Sequence, residues 1–450
     1  MKVAVIGSRL LFFLPPLRPL KICAIIAYLA VMGKVYQMDL AILGYGVVGS
    51  GAARLLEKNS AGIALRAQQP LRLKYILDIQ EFPGDPLERL VVHDFETILN
   101  DPGVGIVAET IGGLHPAFEF TLSCIRAGKS VVTSNKELVA VKGYELLQAA
   151  KENNVNFLFE ASVGGGIPVI RPLSQCLAAN EISEVTGILN GTTNFILTRM
   201  IGDAMPFASA LRLAQENGYA ERNPAADIEG ADACRKICIL ATLAFGRHVY
   251  PEQVRTEGIS AVTLEDVAFA EQYSCCVKLL GQAKRLPGGR ITAVVAPMLV
   301  PRSSLLASVN DVYNAILIHG DAVEDVLFYG RGAGKFPTAS AVVADIIDCA
   351  RHIDRRRFFE WEAGSPDFVA PAEEDVTQLY ARAKANAEAL PAARAAVLKA
   401  FPGTVFLEAE AAAPGEFAFV TPTVQDGAGR EALMRLPGVE VQMVMRVAEV

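Results

Sequence analysis

The sequence is short of several things, and each shortage removes a class of function. Only five histidines occur in 450 residues, and the eight cysteines form no C-x-x-C pair. That argues against a zinc ribbon, a dithiol redox centre or a histidine-rich metal site. Cys234 and Cys238 share one helical face, but no histidine lies near them in sequence, and core packing accounts for them better. The cysteines are scattered through apolar segments, as the reduced thiols of a cytoplasmic protein are. Basic blocks are missing too. The formal charge is −7, and the one cluster, Arg355-Arg356-Arg357, is short enough to be a solvated domain junction. Nucleic acid therefore has no electrostatic footprint to meet. A membrane helix needs about 20 apolar residues in a row. The apolar stretch 10–32 is broken by Pro15, Pro16, Arg18, Pro19 and Lys21. No internal repeat or low-complexity segment is present.

What is there suits a multi-domain protein. Hydrophobic residues make up 52% and charged residues 20%, enough for two or three packed domains. Residues 1–37 read as an atypical extension. Lys2 and Arg9 before an apolar run resemble a signal peptide. Met38, however, opens a natural first strand, and we expect protein starting there to fold and be active. Residues 40–43 read as a strand, 47–57 as a helix and 73–77 as a second strand, with the polar stretch 58–70 as an insertion. Another strand (105–109), a helix (116–127) closed by Gly128, and a strand (130–133) follow. Such alternation predicts a parallel sheet. Strands are expected at 156–160, 184–189, 291–297 and 325–329, with helices dominating 194–247. The tail after Arg355 reads as a separate βαββαβ unit. Its strands are placed at 358–362, 404–408, 416–421 and 439–447, and its helices at 376–399 and 429–436. The expected fold class is α/β. A Rossmann-type nucleotide domain covers 38–150 plus about 330–352, an α+β substrate and dimerisation domain covers 151–329, and a small C-terminal domain covers 356–450.

Three motifs carry chemistry. Gly44-Tyr45-Gly46-Val47-Val48-Gly49 follows a strand and opens a helix, the context that a dinucleotide-binding loop requires. Gly44 permits the turn, Gly46 lets a pyrophosphate approach the backbone, and Gly49 lets the helix pack on the sheet. The helix N-terminus offers free N–H groups to the phosphates. Asp78 ends the second strand, where an acid meets the ribose hydroxyls and disfavours a 2′-phosphate. Thr133-Ser134-Asn135-Lys136 lies at a strand's carboxyl end, where ligands sit; Lys136 is either a ligand-facing cation or an exposed loop lysine. In the segment from Glu221 to Lys236, Asp232 and Lys236 are four apart on one helix face. They read as a surface ion pair or, because the rest of this helix is apolar, as a buried pair. A buried lysine of this kind can exchange protons with a reacting oxygen.

These motifs, with Glu160-Ala161-Ser162-Val163-Gly164-Gly165-Gly166-Ile167-Pro168, Leu189-Asn190-Gly191-Thr192-Thr193-Asn194 and Gly330-Arg331-Gly332-Ala333-Gly334, resemble the homoserine dehydrogenases from about Leu40 to about His352. The resemblance implies reversible interconversion of L-homoserine and L-aspartate 4-semialdehyde with NADP or NAD, in threonine and methionine biosynthesis. It implies that Lys236 donates and accepts the proton and that Asp232 holds it or the substrate. It assigns Glu221, Thr192 and Asp227 to substrate, and Lys136, Gly332 and Gly334 to the cofactor side. Glu160, with the carbonyls of Val163, Gly165 and Ile167, matches a structural Na+ or K+ site. A cytoplasmic homodimer acting on a small molecule, away from membranes and nucleic acid, is implied as well. Asn223 departs from the family's usual aspartate. The tail resembles an amino-acid-sensing ACT domain in strand order but lacks its Pro-Gly-Val-Leu-like turn, so we read it as a degenerate ACT-like domain. Two rivals remain: a related dehydrogenase of another small amino or hydroxy acid, and a nucleotide sensor without turnover.

Overall fold

A computed structural model of the protein describes residues 37–353, 356, 359–409 and 413–450. The extension at 1–36, together with Arg355, Arg357 and Phe358, lies outside the described residues. Arg356, the described member of the basic cluster, donates to the carbonyls of Asn154 and His352.

The first domain runs β1 (Met38–Leu43), α1 (Val47–Lys58), α2 (Ser60–Ala67), β2 (Leu71–Leu77), β3 (Val91–Val92), α3 (Phe95–Leu99), β4 (Val104–Glu109), α4 (Ala117–Arg126), β5 (Ser130–Thr133), α5 (Lys136–Glu152) and β6 (Phe157–Leu158). The six strands lie in the order β3-β2-β1-β4-β5-β6, every pair parallel. The order reverses between β1 and β4, which creates a crevice beyond the carboxyl ends of the strands. Leu40, Ala41, Ile42 and Leu43 are all buried, as an unbroken apolar run in a central parallel strand must be. The expected insertion at 58–70 takes the form of a helix, α2. Ile63 and Ala67, four apart, bury its one apolar face beside Leu40 and Leu56. The strand expected over 156–160 shrinks to β6, because Glu160 already begins a 3-10 turn.

The middle of the chain continues through β7 (Ile182–Ile188), α6 (Gly191–Asp203), α7 (Phe207–Glu216), α8 (Ala225–Ile228), α9 (Ala231–Phe245), β8 (Arg255–Thr256), α10 (Leu264–Gln272), β9 (Cys275–Arg285), β10 (Ile291–Pro301), β11 (Tyr313–Gly320) and β12 (Glu324–Arg331). The next helix, α11 (Lys335–Arg351), returns to the first domain. Its Ala339, Val342, Val343 and Ile346 share a core with Ala52, Ala53 and Leu56 of α1. Gly51 permits the approach, since a Cβ there would lie 2.9 Å from the Lys335 carbonyl oxygen.

The tail comprises β13 (Val376–Lys384), α12 (Leu390–Ala400), β14 (Val405–Leu407), β15 (Glu416–Val420), β16 (Val424–Gln425), α13 (Asp426–Met434) and β17 (Glu440–Val447). Apart from the two-residue β16, the βαββαβ order is present, but two expected elements lie elsewhere. No strand runs through the described part of 358–362; Glu362 makes only an isolated bridge to Arg247. Residues 376–399 are not one helix, because 376–384 form β13, between β17 and β15. Its Ala, Arg and Lys favour a helix, yet a strand buried on both faces overrides that preference.

The tail has a core of its own, around Leu379, Val397, Phe417, Phe419 and Leu433, and is joined to the middle of the chain by a shared sheet. β17 pairs in parallel with β10, Met298 opposite Arg446 and Leu299 opposite Val447. One sheet of order β12-β11-β7-β9-β10-β17-β13-β15-β14 therefore crosses the junction. Buried charges reinforce it. Asp266 of α10 accepts hydrogen bonds from Arg382 Nε (2.8 Å) and the Tyr380 hydroxyl (3.0 Å). Burial and the Asp266 carboxylate push the Tyr380 hydroxyl pKa well up. Asp426 sits among Arg255, Arg430 and Arg446 at 3.1–3.4 Å.

Candidate active site

The glycine loop forms where β1 meets the crevice. Gly44 has φ +91°, and a Cβ there would lie 3.0 Å from the Thr110–Ile111 backbone. At Gly49 a Cβ would fall 1.9 Å from the Gly44 carbonyl oxygen, so only glycine lets α1 sit this close to its own strand. Gly46 is different: a Cβ there meets nothing within 4 Å, and Gly46 caps α1 without a side-chain bond. The helix's first amides thus face open space. Val47 is exposed and Val48 partly so. Asp78, at the end of β2, accepts a hydrogen bond from the Tyr45 amide at 2.7 Å. Across the crevice, Glu109 at the end of β4 is fully buried. It accepts bonds from the Ile111 amide (2.7 Å) and the Thr133 hydroxyl (2.5 Å), and burial raises its pKa. Asn135 caps α5 by accepting from the Leu138 amide at 3.1 Å and donates to the Gly113 carbonyl at 2.6 Å.

Helix α9 brings the charged residues to this crevice. Gly230, at φ +85°, turns the chain into it, and a Cβ there would meet Thr256 at 3.0 Å. Ile237, Cys238, Ile239, Leu240 and Ala241 are all buried, so the helix is a core element and Asp232 and Lys236 are not a surface pair. Lys236 is 7% exposed; its Nζ donates to Asp232 Oδ2 at 2.7 Å and to the Leu189 carbonyl oxygen at 2.7 Å. Lys136, from the start of α5, reaches the other carboxylate oxygen, Asp232 Oδ1, at 2.9 Å. Asn190 donates to Asp232 Oδ2 (2.8 Å) and to Asp227 Oδ1 (2.7 Å) while its own Oδ1 caps α6 at the Thr193 amide.

Electrostatics follow from this geometry. Burial by itself would raise the Asp232 pKa, but the ammonium groups of Lys236 and Lys136 outweigh it and hold the carboxyl below the usual range. The Asp232 charge in turn raises the Lys136 pKa against the opposing effect of burial. Asp227 is raised, by burial first and then by its neighbour Asp232. The centre is thus an ionised carboxylate between two lysines. An ammonium has three N–H donors. Two of those on Lys236 are engaged, and one position remains for a ligand oxygen.

The other expected residues divide. Thr192 is near the cluster but donates to the Tyr219 carbonyl at 2.7 Å, tying down the turn that carries Glu221. Glu221 is exposed, and among the described residues its carboxylate makes no hydrogen bond to the cluster. Asn223 accepts from the Ala225 amide at 3.4 Å. Gly332 lies over the Asn314 side chain, where a Cβ would fall 2.0 Å from Nδ2; Gly334 has φ +121° and precedes α11. Gly165, at φ +54°, packs on Gly332, so the turn at 163–167 abuts the second glycine loop.

Of the expected cation set, Glu160 already has backbone partners. Both oxygens of Glu160 are committed to backbone amides: Oε1 to Val169 (2.8 Å) and Ile170 (3.0 Å), Oε2 to Arg171 (2.9 Å). This carboxylate thus holds three successive amides at the start of the helical turn 170–176. Among the described residues no group of three or more His, Cys, Asp or Glu is arranged to hold a metal. Asn190, with no role expected from the sequence, stands three residues before Thr193 at a helix start, the capping pattern that marks it. Glu109 and Asp85, which forms an ion pair with Arg54 at 3.1 Å, were missed altogether.

Two family models match the chain: "Homoserine dehydrogenase, NAD binding domain" over residues 44–160 and "Homoserine dehydrogenase" over residues 168–347. The homoserine dehydrogenase of Bacillus subtilis is 40% identical over 309 residues, 68% of this chain and 71% of that protein. The Neisseria gonorrhoeae homoserine dehydrogenase is 40% identical over 361 residues, 78% of this chain and 82% of that one. A solved homoserine dehydrogenase from Thiobacillus denitrificans superposes with a TM-score of 0.83 at 35% identity, covering 92% of this chain and 98% of that one. A hyperthermophilic archaeal homoserine dehydrogenase mutant, solved in complex with NADPH, matches with a TM-score of 0.59 at 27% identity, over 70% of this chain and 97% of that one.

Proposed function

The chain belongs to the homoserine dehydrogenase family, and from that premise we propose that Lys236 moves the proton in its NAD(P)-dependent oxidation of a CH–OH group. The reaction is the reversible interconversion of L-homoserine and L-aspartate 4-semialdehyde. The observation that carries the proposal is the buried Lys236 Nζ, held at 2.7 Å by both Asp232 and the Leu189 carbonyl with one direction left open.

The residues at the first glycine loop fit a dinucleotide: the Gly46 face is open and the N-terminus of α1 has no side-chain cap. NAD(P), when bound, supplies the hydride acceptor in oxidation and the hydride donor in reduction. The chain's own residues handle charge and position. In oxidation a neutral Lys236 amine takes the hydroxyl proton; in reduction its ammonium returns a proton to the aldehyde oxygen. Asp232 stays ionised and fixes Lys236 and Lys136 in one geometry. Lys136 keeps its proton and stands as a fixed positive charge beside the developing alkoxide. Glu221, exposed on its turn, receives the substrate ammonium, while Thr192 and Asp227 line the substrate side around Asn190. Gly332 and Gly334 close the coenzyme side from the second glycine loop.

The same reading includes a cytoplasmic homodimer. Free thiols at all seven described cysteines suit a reducing compartment. No helix among the described residues is long and apolar enough to cross a membrane. No step is assigned to a bound cation. The test is direct: purified protein with homoserine and either coenzyme should generate the near-ultraviolet absorbance of reduced nicotinamide. Equal turnover of other small amino or hydroxy alcohols would overturn the substrate assignment. Unchanged turnover in Lys236→Ala would overturn the assignment of Lys236 as the base.

A further inference from the structure

The turn that follows β2 has a charge pattern that the catalytic account leaves unused. Residues 78–86 read Asp-Ile-Gln-Glu-Phe-Pro-Gly-Asp-Pro: three acids and no lysine or arginine. Asp78 is locked beside the glycine loop, with Oδ2 accepting from the Tyr45 amide at 2.7 Å and Oδ1 from the Gln80 amide at 2.9 Å. A carboxylate offers about four acceptor positions. Each Asp78 oxygen therefore keeps one free, a matched pair for two adjacent ribose hydroxyls. A 2′-phosphate removes one of those donors and adds about two negative charges at the same place.

Cations near this turn are already engaged. Arg54, facing it from α1, pairs with Asp85 at 3.1 Å. The Tyr45 hydroxyl also donates to Asp85, at 3.2 Å, and the Tyr45 ring packs edge-on against Phe82 at 4.8 Å. His93 bridges the Asp78 carbonyl (2.7 Å) and Glu81 (2.9 Å). Recruiting Arg54 or His93 to a phosphate would strip a carboxylate of its partner. Arg89, exposed on the 3-10 turn 88–90, is the cation that a 2′-phosphate would have to enlist from farther along the chain.

We propose that the 78–86 turn makes this protein prefer NAD(H) over NADP(H), with Asp78 as the hydroxyl acceptor and Asp85 as the residue that withholds Arg54 from a 2′-phosphate. The proposal rests on the coenzyme reading above. It is tested by calorimetric titration of the full chain with NADH and NADPH, which reads binding without turnover. NADPH should bind at least about tenfold more weakly at low salt. The gap should narrow as salt is raised, because the repulsion acts over a Debye length of about 10 Å at 0.1 M. Asp78→Asn, which keeps an acceptor for the Tyr45 amide, should narrow it further by tightening NADPH. NADPH binding as tightly as NADH to the unmodified protein, or a gap that neither salt nor D78N changes, would overturn the proposal. Binding of neither coenzyme would overturn the coenzyme reading itself and this inference with it.

Discussion

Two regions bury charge, and they do so differently. At the junction with the tail, Asp266 and Asp426 are fully enclosed: Arg382 and Tyr380 surround the first, Arg255, Arg430 and Arg446 the second. Around α9, Asp232 is also buried, at 5% exposure against 0% for Asp266 and Asp426, and lies between two lysines, but the hydrogen-bond set is incomplete. One Lys236 position is open, and Lys136 remains 39% exposed at the crevice. A buried ion pair is costly, and a closed one returns rigidity. An open one leaves a donor free for a ligand, which the proposed proton exchange at Lys236 requires. Burial alone therefore does not mark function; an unfilled direction on a buried charge does.

That contrast can be broken at several points. Arg382→Ala should cost about 3–5 kcal/mol in unfolding free energy, because it strands Asp266 in the core; chemical denaturation checks this, and the folded fraction should keep its turnover. Asp232→Asn should cost less in stability but about 10²-fold in kcat, since both lysines lose the charge that orients them. Steady-state kinetics at saturating coenzyme checks it. The smallest effect is expected at Lys278, a buried ammonium with only neutral acceptors: Val309 O at 2.6 Å, Asn194 Oδ1 at 3.1 Å and Asn310 Oδ1 at 3.2 Å. Burial pushes its pKa down to about 8. The unfolded chain holds that proton to about pH 10.4. Between these values the unfolded state binds more protons, so stability rises with pH in that window and this contribution is lost as pH falls back through 8. Denaturant titrations across the window should show that rise in the unmodified protein and a flatter profile in Lys278→Met.

The first domain was legible because its information is local. An apolar run, three spaced glycines and an acid at a strand end each carry their own geometric demand, and β1, the loop and Asp78 sit accordingly. The Asp232–Lys236 spacing was legible as one helix face, but not its third member: Lys136 lies almost a hundred positions away and joins only because α5 packs beside α9. The tail was half legible. Its strand order follows from alternation and turns, whereas β13 is written in helix-favouring residues that only its neighbours β17 and β15 hold extended. The partners of Glu160 were not legible, because they are backbone amides, those of Val169, Ile170 and Arg171, which no side-chain pattern announces.

The central claim is that the open position on Lys236 is where the proton moves. Single-turnover and steady-state rates of Lys236→Ala with homoserine, alongside its coenzyme affinity, test this most directly. The account predicts a loss of about 10²–10⁴ in kcat with coenzyme binding retained. Turnover close to that of the unmodified enzyme would contradict it.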